Sequence, residues 1–332
     1  MSHTTEDASR HGGGQGHIAV LVLCFNDSKW LHRCLTSLLA TKDEHFSVYV
    51  IDNASVDGSV DFVTSNFPQV RVVRNSRNLG FAAGNNEGIR VAVEDGADFL
   101  VLLNTDTWVE ENWLTELRKP FAADPSIGVV TAMIENYDND RFDKNFSQIL
   151  AATPEFIQDA WDGRVKPWYH TDTGSGAALM ARRSFYEDVG VIDPVFFMYF
   201  EEIDLIRRGR YLGYKAAFST TGVIHHHNHL ETPTAGRPTK ARFERGYMIF
   251  TLKNQFEPLA KCIIKFLLEV VSRPVGAILK GQWKRTLTLL GTGAELLVRS
   301  PAILYRRHLE MHSPSRLPEM RWLRPGTGRT RD

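Results

Sequence analysis

Cysteine is scarce: Cys24, Cys34 and Cys262 are the only three in 332 residues. The number is odd and no Cys-x-x-Cys pair occurs, which argues against a disulfide framework and a thiolate zinc site and for buried, reduced thiols. Neither sign of charge is in excess, with 39 Lys+Arg against 39 Asp+Glu, so no overall basic surface points to nucleic acid. No uncharged apolar run approaches the roughly 18–20 residues of a membrane span. The opening "MSHTTEDASRHGGGQGH" lacks the apolar core of a signal peptide, and residues 1–16 read as a disordered leader. No internal repeat is visible.

What is present is ordinary globular composition, 43% hydrophobic and 23% charged, in a chain long enough for a large α/β core. "HIAVLVLCF" (17–25) is apolar throughout and predicts a strand buried on both faces. Leu31, Cys34, Leu35, Leu38 and Leu39 then repeat at helical spacing, with Asp27 or Ser28 as N-cap. "FSVYVID" (46–52), "VRVVRN" (70–75) and "ADFLVLLN" (97–104) predict three further strands, separated by helices over 55–67 and 81–96. Such alternation requires right-handed crossovers and a mostly parallel sheet covered by helices on both faces. Ligands of these sheets bind beyond the carboxyl ends of the strands. Those ends carry Phe25-Asn26-Asp27, Asp52-Asn53, Asn75 and Asn104-Thr105-Asp106.

Periodicity weakens afterwards. Residues 135–172 read as a long loop, and "TGSGAALMARR" (173–183) as a small-residue turn entering a strand. "FFMYFEEIDLIRRGRYLG" (196–213) reads as an aromatic segment and a helix closing at Gly213, followed by a short strand at 214–219 and by "HHHNH" (225–229). From Pro258 the chain turns amphipathic. Lys261, Lys265 and Glu269 form one polar stripe in an otherwise apolar stretch that Pro274 is expected to end. The tail 313–332, rich in Pro, Gly and Arg, reads as disordered.

Several polar groups carry chemistry. Asn104 and Asp106 are two apart and project from an extended segment in the same direction. A single carboxylate beside an amide suits a hard cation shared with water or phosphate, and it also suits a plain turn. Asp52 can accept a hydrogen bond from an N–H such as a pyrimidine imide. "RNLGFAAGNNEG" (77–88) opens a helix with glycines that let backbone approach a ligand. Glu201, Glu202 and Asp204 crowd together, which raises carboxyl pKa values as a general base requires, although acids also favour helix starts. Among the histidines, one joining a carboxylate on a metal is more economical than a zinc site.

In order, "CFN", "IDNASVDGS", "NLGFAAGNNEG", "LLNTDT", "GSGAALMARR", "FFMYFEEIDL" and "VIHH" resemble the family 2 inverting glycosyltransferases of GT-A fold, over about Ile18 to His229. Within that family the sequence looks most like the bacterial rhamnosyltransferase-type branch that builds cell-envelope polysaccharides. The resemblance implies an α/β fold with a Rossmann-like, mostly parallel central sheet flanked by helices and a C-terminal amphipathic helical extension. Its domain is expected at 17–257, with a nucleotide-sugar half at 17–134 and an acceptor half at 135–257, and the helical region at 258–312. It implies that Phe25, Asn26, Asp52, Asn78, Gly80, Asn85, Asn104 and Asp106 line the nucleotide-sugar site. Asp106 and His225 would hold Mg²⁺ or Mn²⁺, though "NTD" departs from the family's first Asp at residue 104. Gly174, Ser175, Gly176 and Glu201 would line the acceptor side, and Glu202 would be the catalytic base, standing where the family has Asp.

The implied partners are a dTDP- or UDP-sugar donor, best read as dTDP-L-rhamnose, and a glycan or polyprenyl-diphosphate-linked acceptor. No nucleic acid is expected, and a homo-oligomer is compatible with the sequence. The apolar, Lys- and Arg-bearing C-terminal helices fit peripheral attachment to the inner face of the plasma membrane from a cytoplasmic protein, and equally a helical cap packed on the main domain or a dimer interface. A nucleotidyltransferase of related architecture is the first competitor, but it needs a Gly- and Lys-rich loop after the first strand, where "CFNDSKW" has no glycine. A catalytically silent binding subunit is the second.

Overall fold

A computed structural model describes residues 16–42, 44–137, 146–227 and 239–323. Its first half alternates as the apolar runs dictate: β1 (Ile18–Cys24), α1 (Ser28–Leu39), β2 (Phe46–Asp52), α2 (Ser59–Asn66), β3 (Arg71–Arg74), α3 (Gly80–Glu94) and β4 (Phe99–Asn104). A short β5 (Thr107–Val109) leads into α4 (Trp113–Ala123) and β6 (Ile127–Asn136). The second half holds α5 (Phe146–Ala151), α6 (Pro154–Trp161), β7 (Trp168–Thr171), β8 (Ala178–Arg182), α7 (Arg183–Val189), α8 (Glu201–Tyr211) and β9 (Lys215–His226). Three helices close the chain: α9 (Thr239–Leu252), α10 (Leu259–Leu279) and α11 (Trp283–His312).

The sheet runs β3-β2-β1-β4-β8-β6-β9-β5, with β7 also paired to β9. The first four strands are parallel, and the remainder is mixed, β8 being antiparallel to both β4 and β6. Strand alternation splits the core into two layers. Val20, Val22 and Val50 pack with Leu31, Leu35, Val63 and Leu117 on one face. Leu21 and Ile51 pack with Ile89, Phe185 and Leu205 on the other. Each such side chain contributes about 1.5–3 kcal/mol by leaving water. Register does the positioning: Cys24 lies opposite Asp52, and Leu23 opposite Asn104, so the polar ends of β1, β2 and β4 reach one edge together.

All three cysteines are free and buried, and burial pushes the Cys24 thiol to about 11 and that of Cys34 to about 12. Four sequence expectations are corrected. The supposed loop at 135–172 contains the end of β6, two short helices and β7. His225 and His226 belong to β9, while His229 lies outside the described residues. Pro274 does not end its helix: α10 continues to Leu279, because the buried Pro274 and Ala277 pack inward and outweigh one lost backbone hydrogen bond. The tail is not structureless throughout, since 3₁₀ turns at Pro314–Arg316 and Pro318–Leu323 bury Leu317 and Met320 against Val189 and Val191. The expected leader lies outside the described residues apart from Gly16.

Candidate active site at the carboxyl edge of the sheet

The loops leaving β1 and β2 are clipped together. Ser55 N–H donates to Asp52 Oδ1 (3.0 Å), Asn26 N–H to Ser55 Oγ (2.9 Å), and Val56 N–H to Asn26 Oδ1 (2.8 Å). Asn26 adopts a left-handed backbone, φ 56°, which an asparagine tolerates. Asp52 is buried at the bottom of this turn.

An asparagine lattice holds the next wall. Asn75 Nδ2 donates to Asn53 Oδ1 (2.9 Å), and Asn53 Nδ2 donates to the Gly80 carbonyl (3.0 Å). Asn78 Oδ1 accepts from Gly80 N–H at 2.8 Å. Gly80 needs to be glycine: its φ is +80°, and a Cβ there would lie 2.5 Å from the Phe197 ring. Phe81 N–H, one residue on, donates to the Phe197 carbonyl at 2.7 Å. Asn85 is buried, with Nδ2 bonded to the Phe81 carbonyl (3.0 Å) and Oδ1 without a partner. Phe25 sits half-buried beside this edge.

Asp106 follows β4. Its Oδ1 lies 3.4 Å from His226 Nε2, and Asn104 Nδ2 lies 3.4 Å from the same nitrogen. Asp106 O also accepts from His227 N–H (2.9 Å), which fixes the loop to the end of β9. Thr105 Oγ1 donates to Asp27 Oδ2 at 2.8 Å, and burial, reinforced by the Asp106 charge, holds the Asp27 carboxyl above its ordinary value. A carboxylate oxygen and an imidazole nitrogen that converge while nearly buried make a donor set fit for a divalent cation.

His225 is not in this group. Its ring stacks on Trp108 (3.5 Å between centroids), with Nε2 2.9 Å from Glu110 Oε1 and Nδ1 3.6 Å from Glu135 Oε2. The reason is strand geometry: β5 pairs antiparallel with β9, setting Trp108 opposite His225 and Thr107 opposite His226, and one residue along a strand switches faces. The histidine next to the Asp106 carboxylate is therefore His226.

Asn104 N–H donates to the Ala177 carbonyl (3.1 Å), which joins this edge to the small-residue turn. Within that turn Ser175 N–H donates to Thr131 Oγ1 (3.2 Å) and Ser175 Oγ accepts from Ala177 N–H (3.2 Å). A Cβ on Gly174 would meet Ile206 Cδ1 at 2.7 Å. One on Gly176 would lie 3.0 Å from Phe81 and 3.8 Å from Glu202 Cβ. Small residues thus let the turn press against α8.

Glu201 and Glu202 open α8. Glu201 is buried, and its carboxyl is raised well above the ordinary value by burial and by the charges of Glu202 and Asp204. Burial also raises Glu202, opposed by N–H groups including those of Gly176 and Ile203. One oxygen of each glutamate is buried without a hydrogen-bond partner. The chain entering this helix is strained, with positive φ at Phe197 (66°), Tyr199 (72°) and Phe200 (73°). Such backbone persists only where surrounding packing enforces it. Here a Cβ on Gly246 of α9 would lie 2.5 Å from the Tyr199 carbonyl oxygen.

One turn along, Asp204 is tied down completely. It bonds Arg207 (2.9 Å), Arg208 (3.0 Å) and Lys253 Nζ (3.0 Å). Lys253 Nζ also reaches Asp193 (2.5 Å) and Glu310 (2.7 Å). Asp193, Asp204 and Glu310 bring carboxylate oxygens within 4.8 Å of one another, and the Lys253 ammonium is the cation they share. Sequence reasoning named Asn53 and His226 among the polar candidates without choosing them, and it missed Lys253. It also missed Asn86, which clamps both backbone groups of Ile192 at 2.7 and 3.1 Å. The adjacency "DN" at 52–53 signalled Asn53, whereas nothing local signalled Lys253.

The sequence profile described as "Glycosyl transferase family 2" matches residues 19–190. Over 237 residues the chain is 23% identical to the N-acetylglucosaminyl-diphospho-decaprenol L-rhamnosyltransferase of Mycobacterium tuberculosis, covering 63% of this chain and 76% of that one. It is 26% identical over 185 residues to poly-beta-1,6-N-acetyl-D-glucosamine synthase of Staphylococcus aureus, covering 53% and 42%. Its fold is similar to the mannosyltransferase PcManGT of Pyrobaculum calidifontis, solved with GDP-Man and Mn²⁺ (TM-score 0.55, 18% identity, 92% and 83% covered). It is also similar to S. aureus TarS 1–349, solved with UDP (TM-score 0.54, 14% identity, 89% and 87% covered). The profile takes in more than half of the chain, from the start of β1 to the end of α7, and the neighbouring structures are similar to it in fold. The chain therefore belongs to glycosyl transferase family 2 and is a glycosyltransferase of GT-A fold.

Proposed function

We propose that the protein is a metal-dependent inverting glycosyltransferase that moves L-rhamnose from dTDP-rhamnose to a hydroxyl of a polyprenyl-diphosphate-linked glycan, in cell-envelope polysaccharide synthesis. One observation carries this reading. Asn104 N–H bonds Ala177, and the neighbouring Gly176 lies against Glu202, so the Asp106 edge and the acid helix meet across one turn. The relative from M. tuberculosis supports the sugar and the acceptor class by its name.

Asp52 faces the base, and Asn26, Asn78, Gly80 and Asn85 shape the donor cleft together with Phe25. Asp106 and His226, with Asn104 beside them, would hold Mg²⁺ or Mn²⁺, and a cation there neutralises the charge that builds on the departing diphosphate. The acceptor hydroxyl enters past Gly174, Ser175 and Gly176. Glu202 takes its proton as the oxygen attacks the face opposite the leaving group, and a single displacement without a covalent intermediate inverts the anomeric carbon. Glu202, which lies against Gly176 of the acceptor turn, suits this role better than the more deeply buried Glu201, and burial raises both carboxyls.

On this reading the helices α10 and α11 rest on the inner leaflet. On α11, Leu289, Leu296, Ile303 and Leu309 point inward together with Thr286, Thr292, Arg307 and Glu310, while Leu287 (71% exposed) and Val298 (82%) point outward. α10 adds Leu268 (62%) and Val271 (64%). Between residues 258 and 312 nine Lys and Arg stand against three Glu, which complements anionic lipid. By length and composition α11 could cross a membrane, but the bond of Glu310 to the buried Lys253 ties the end of this helix to the main domain.

The test is release of dTDP from dTDP-rhamnose by purified protein with Mn²⁺ or Mg²⁺, against UDP- and GDP-sugar controls. Turnover of another nucleotide sugar alone would replace the donor, and no metal-dependent turnover of any would remove the reading. Vesicle co-sedimentation checks the membrane face: wild type binds phosphatidylglycerol vesicles, and V271E with V298E does not. A stable dimer in solution that fails to bind vesicles would assign that face to a second copy.

A further inference from the structure

Glu202 reaches the cleft at the end of a stretch of unfavourable backbone. Phe197, Tyr199 and Phe200 all have positive φ, a region that bulky side chains avoid. The two ends of this stretch are anchored. Before it, Asn86 holds Ile192, and Lys253 and Arg306 hold Asp193 at 2.5 and 2.7 Å. After it, Asp204 is held by Arg207 and Arg208. Between the anchors, α9 follows the left-handed residues. Phe243 and Phe250 pack on the Phe200 ring, with 4.8 and 5.5 Å between centroids. Gly246 lets the Tyr199 carbonyl come against the helix, where a Cβ would lie 2.5 Å from its oxygen.

Arg245, beside Gly246, grips the backbone itself. It is nearly buried, and its Nη1 donates to the carbonyls of Val195 (2.8 Å) and Phe196 (3.3 Å). Its Nε and Nη2 both donate to Glu295 Oε1 of α11, at 3.3 and 3.1 Å. One carboxylate thus fixes the planar guanidinium, which in turn fixes two peptide groups. Such charge-assisted bonds are stronger than neutral ones. The peptide plane that carries the Phe196 oxygen also carries the Phe197 nitrogen, so it sets one side of the Phe197 φ rotation. The other peptide plane of Phe197 is set from the donor wall, where its carbonyl accepts from Phe81 N–H at 2.7 Å. The left-handed Phe197 is therefore pinned from both sides. From there the chain passes over Tyr199 and Phe200 into Glu201 and Glu202.

We propose that Arg245 is a positioning residue for the transfer: by holding the Val195 and Phe196 carbonyls it keeps residues 197–200 on the path that presents Glu202 to the acceptor turn. The inference rests on Glu202 as the proposed base. R245M, R245K and E295A test it in the full chain, with kcat taken per dTDP-binding site counted by calorimetry, so that misfolded molecules drop out. R245M removes the donors from a side chain of similar length. Its kcat is expected to fall about 10–100-fold, with donor KM and dTDP affinity within about twofold of wild type. A lysine ammonium can still donate to both carbonyls, so R245K is expected to stay within about threefold of wild type. E295A keeps Arg245 but removes the oxygen that orients it, and a fall of about 3–10-fold is expected. That variant carries the test if R245M yields no dTDP-binding protein. Hydrogen exchange read by mass spectrometry is the second readout: R245M and E295A should speed exchange in peptides covering 196–205 and leave those of β1 and β2 unchanged. Wild-type kcat in R245M and E295A would overturn the proposal, and R245K as slow as R245M would overturn the carbonyl grip. Faster exchange spread over the whole chain would reduce Arg245 to general stability and overturn it too. If wild type turns over no nucleotide sugar, the transfer reading fails, and the exchange pattern alone decides whether Arg245 holds this segment.

Discussion

The ends of β1, β2 and β4 and the start of α8 face the same region but are built on opposite principles. The strand ends are held by neutral amides: Asn26, Asn53, Asn75 and Asn78 satisfy one another and nearby backbone. The helix start is held only in part, by N–H groups such as those of Gly176 and Ile203 at Glu202. Glu201 and Glu202 each leave a buried oxygen unpartnered, although Asp204 on the same helix receives three cations. Paired acid and unpaired acid lie within one helical turn. Desolvating a carboxylate without partners is costly, and the packing around the left-handed backbone at Tyr199 and Phe200 sustains it. The wall of strand ends thus reads as a preformed mould, and the start of α8 as a pair of open carboxylates with a structural anchor directly behind it.

The sharpest way to break this contrast is E202Q. The amide keeps the volume and removes the proton acceptor. Transfer is expected to fall by about 10²–10⁴-fold with dTDP affinity unchanged, checked by product release and by calorimetry. Unaltered turnover would make the open carboxylate a structural feature like Asp204.

The anchor can be attacked next. K253M leaves Asp193, Asp204 and Glu310 facing one another without their shared ammonium. Losing one partner of a buried ionic cluster costs about 3–5 kcal/mol, to be read from urea unfolding midpoints. A variant as stable as wild type would show that the carboxylates protonate or admit another cation at little cost. On the donor side the effect is smaller. H226A should weaken Mn²⁺-dependent dTDP binding roughly 10–100-fold, a size typical of a disturbed metal site. H225Q should retain that metal dependence, since His225 answers to Trp108 and Glu110. The reverse pattern would return the role to His225.

The same contrast explains what the sequence disclosed. The parallel half was legible because β1, β2 and β4 are buried on both faces and their composition reports it directly. Asp52, Asn104 and Asp106 could be found because the position of a residue at a strand end follows from the strand alone. The choice between His225 and His226 could not be made in that way. It depends on which face of β9 meets β5, a register set by pairing between residues more than a hundred positions apart. The helices of 146–161 escaped notice because they are shorter than the window over which periodicity speaks. Lys253 was invisible for a related reason: a lysine near a helix end looks like surface until Asp193 and Glu310 arrive from distant segments.

The finest test separates the two glutamates by pH. Burial, with Glu202 and Asp204 nearby, raises the Glu201 carboxyl well above its ordinary value in the folded protein. A carboxyl shifted upward favours the fold while it is protonated. Its contribution is complete below the unfolded value near 4.5 and is lost as pH rises through the folded value. Glu202 acts in the same direction. Wild-type stability should therefore decline on going from acid toward neutral and alkaline pH, as far as these two groups govern it. E201Q cannot ionise, so its urea midpoint should fall less between pH 5 and pH 8 than that of wild type. Identical slopes would mean that Glu201 meets solvent or a cation in solution, and the acid helix would then resemble the satisfied donor wall.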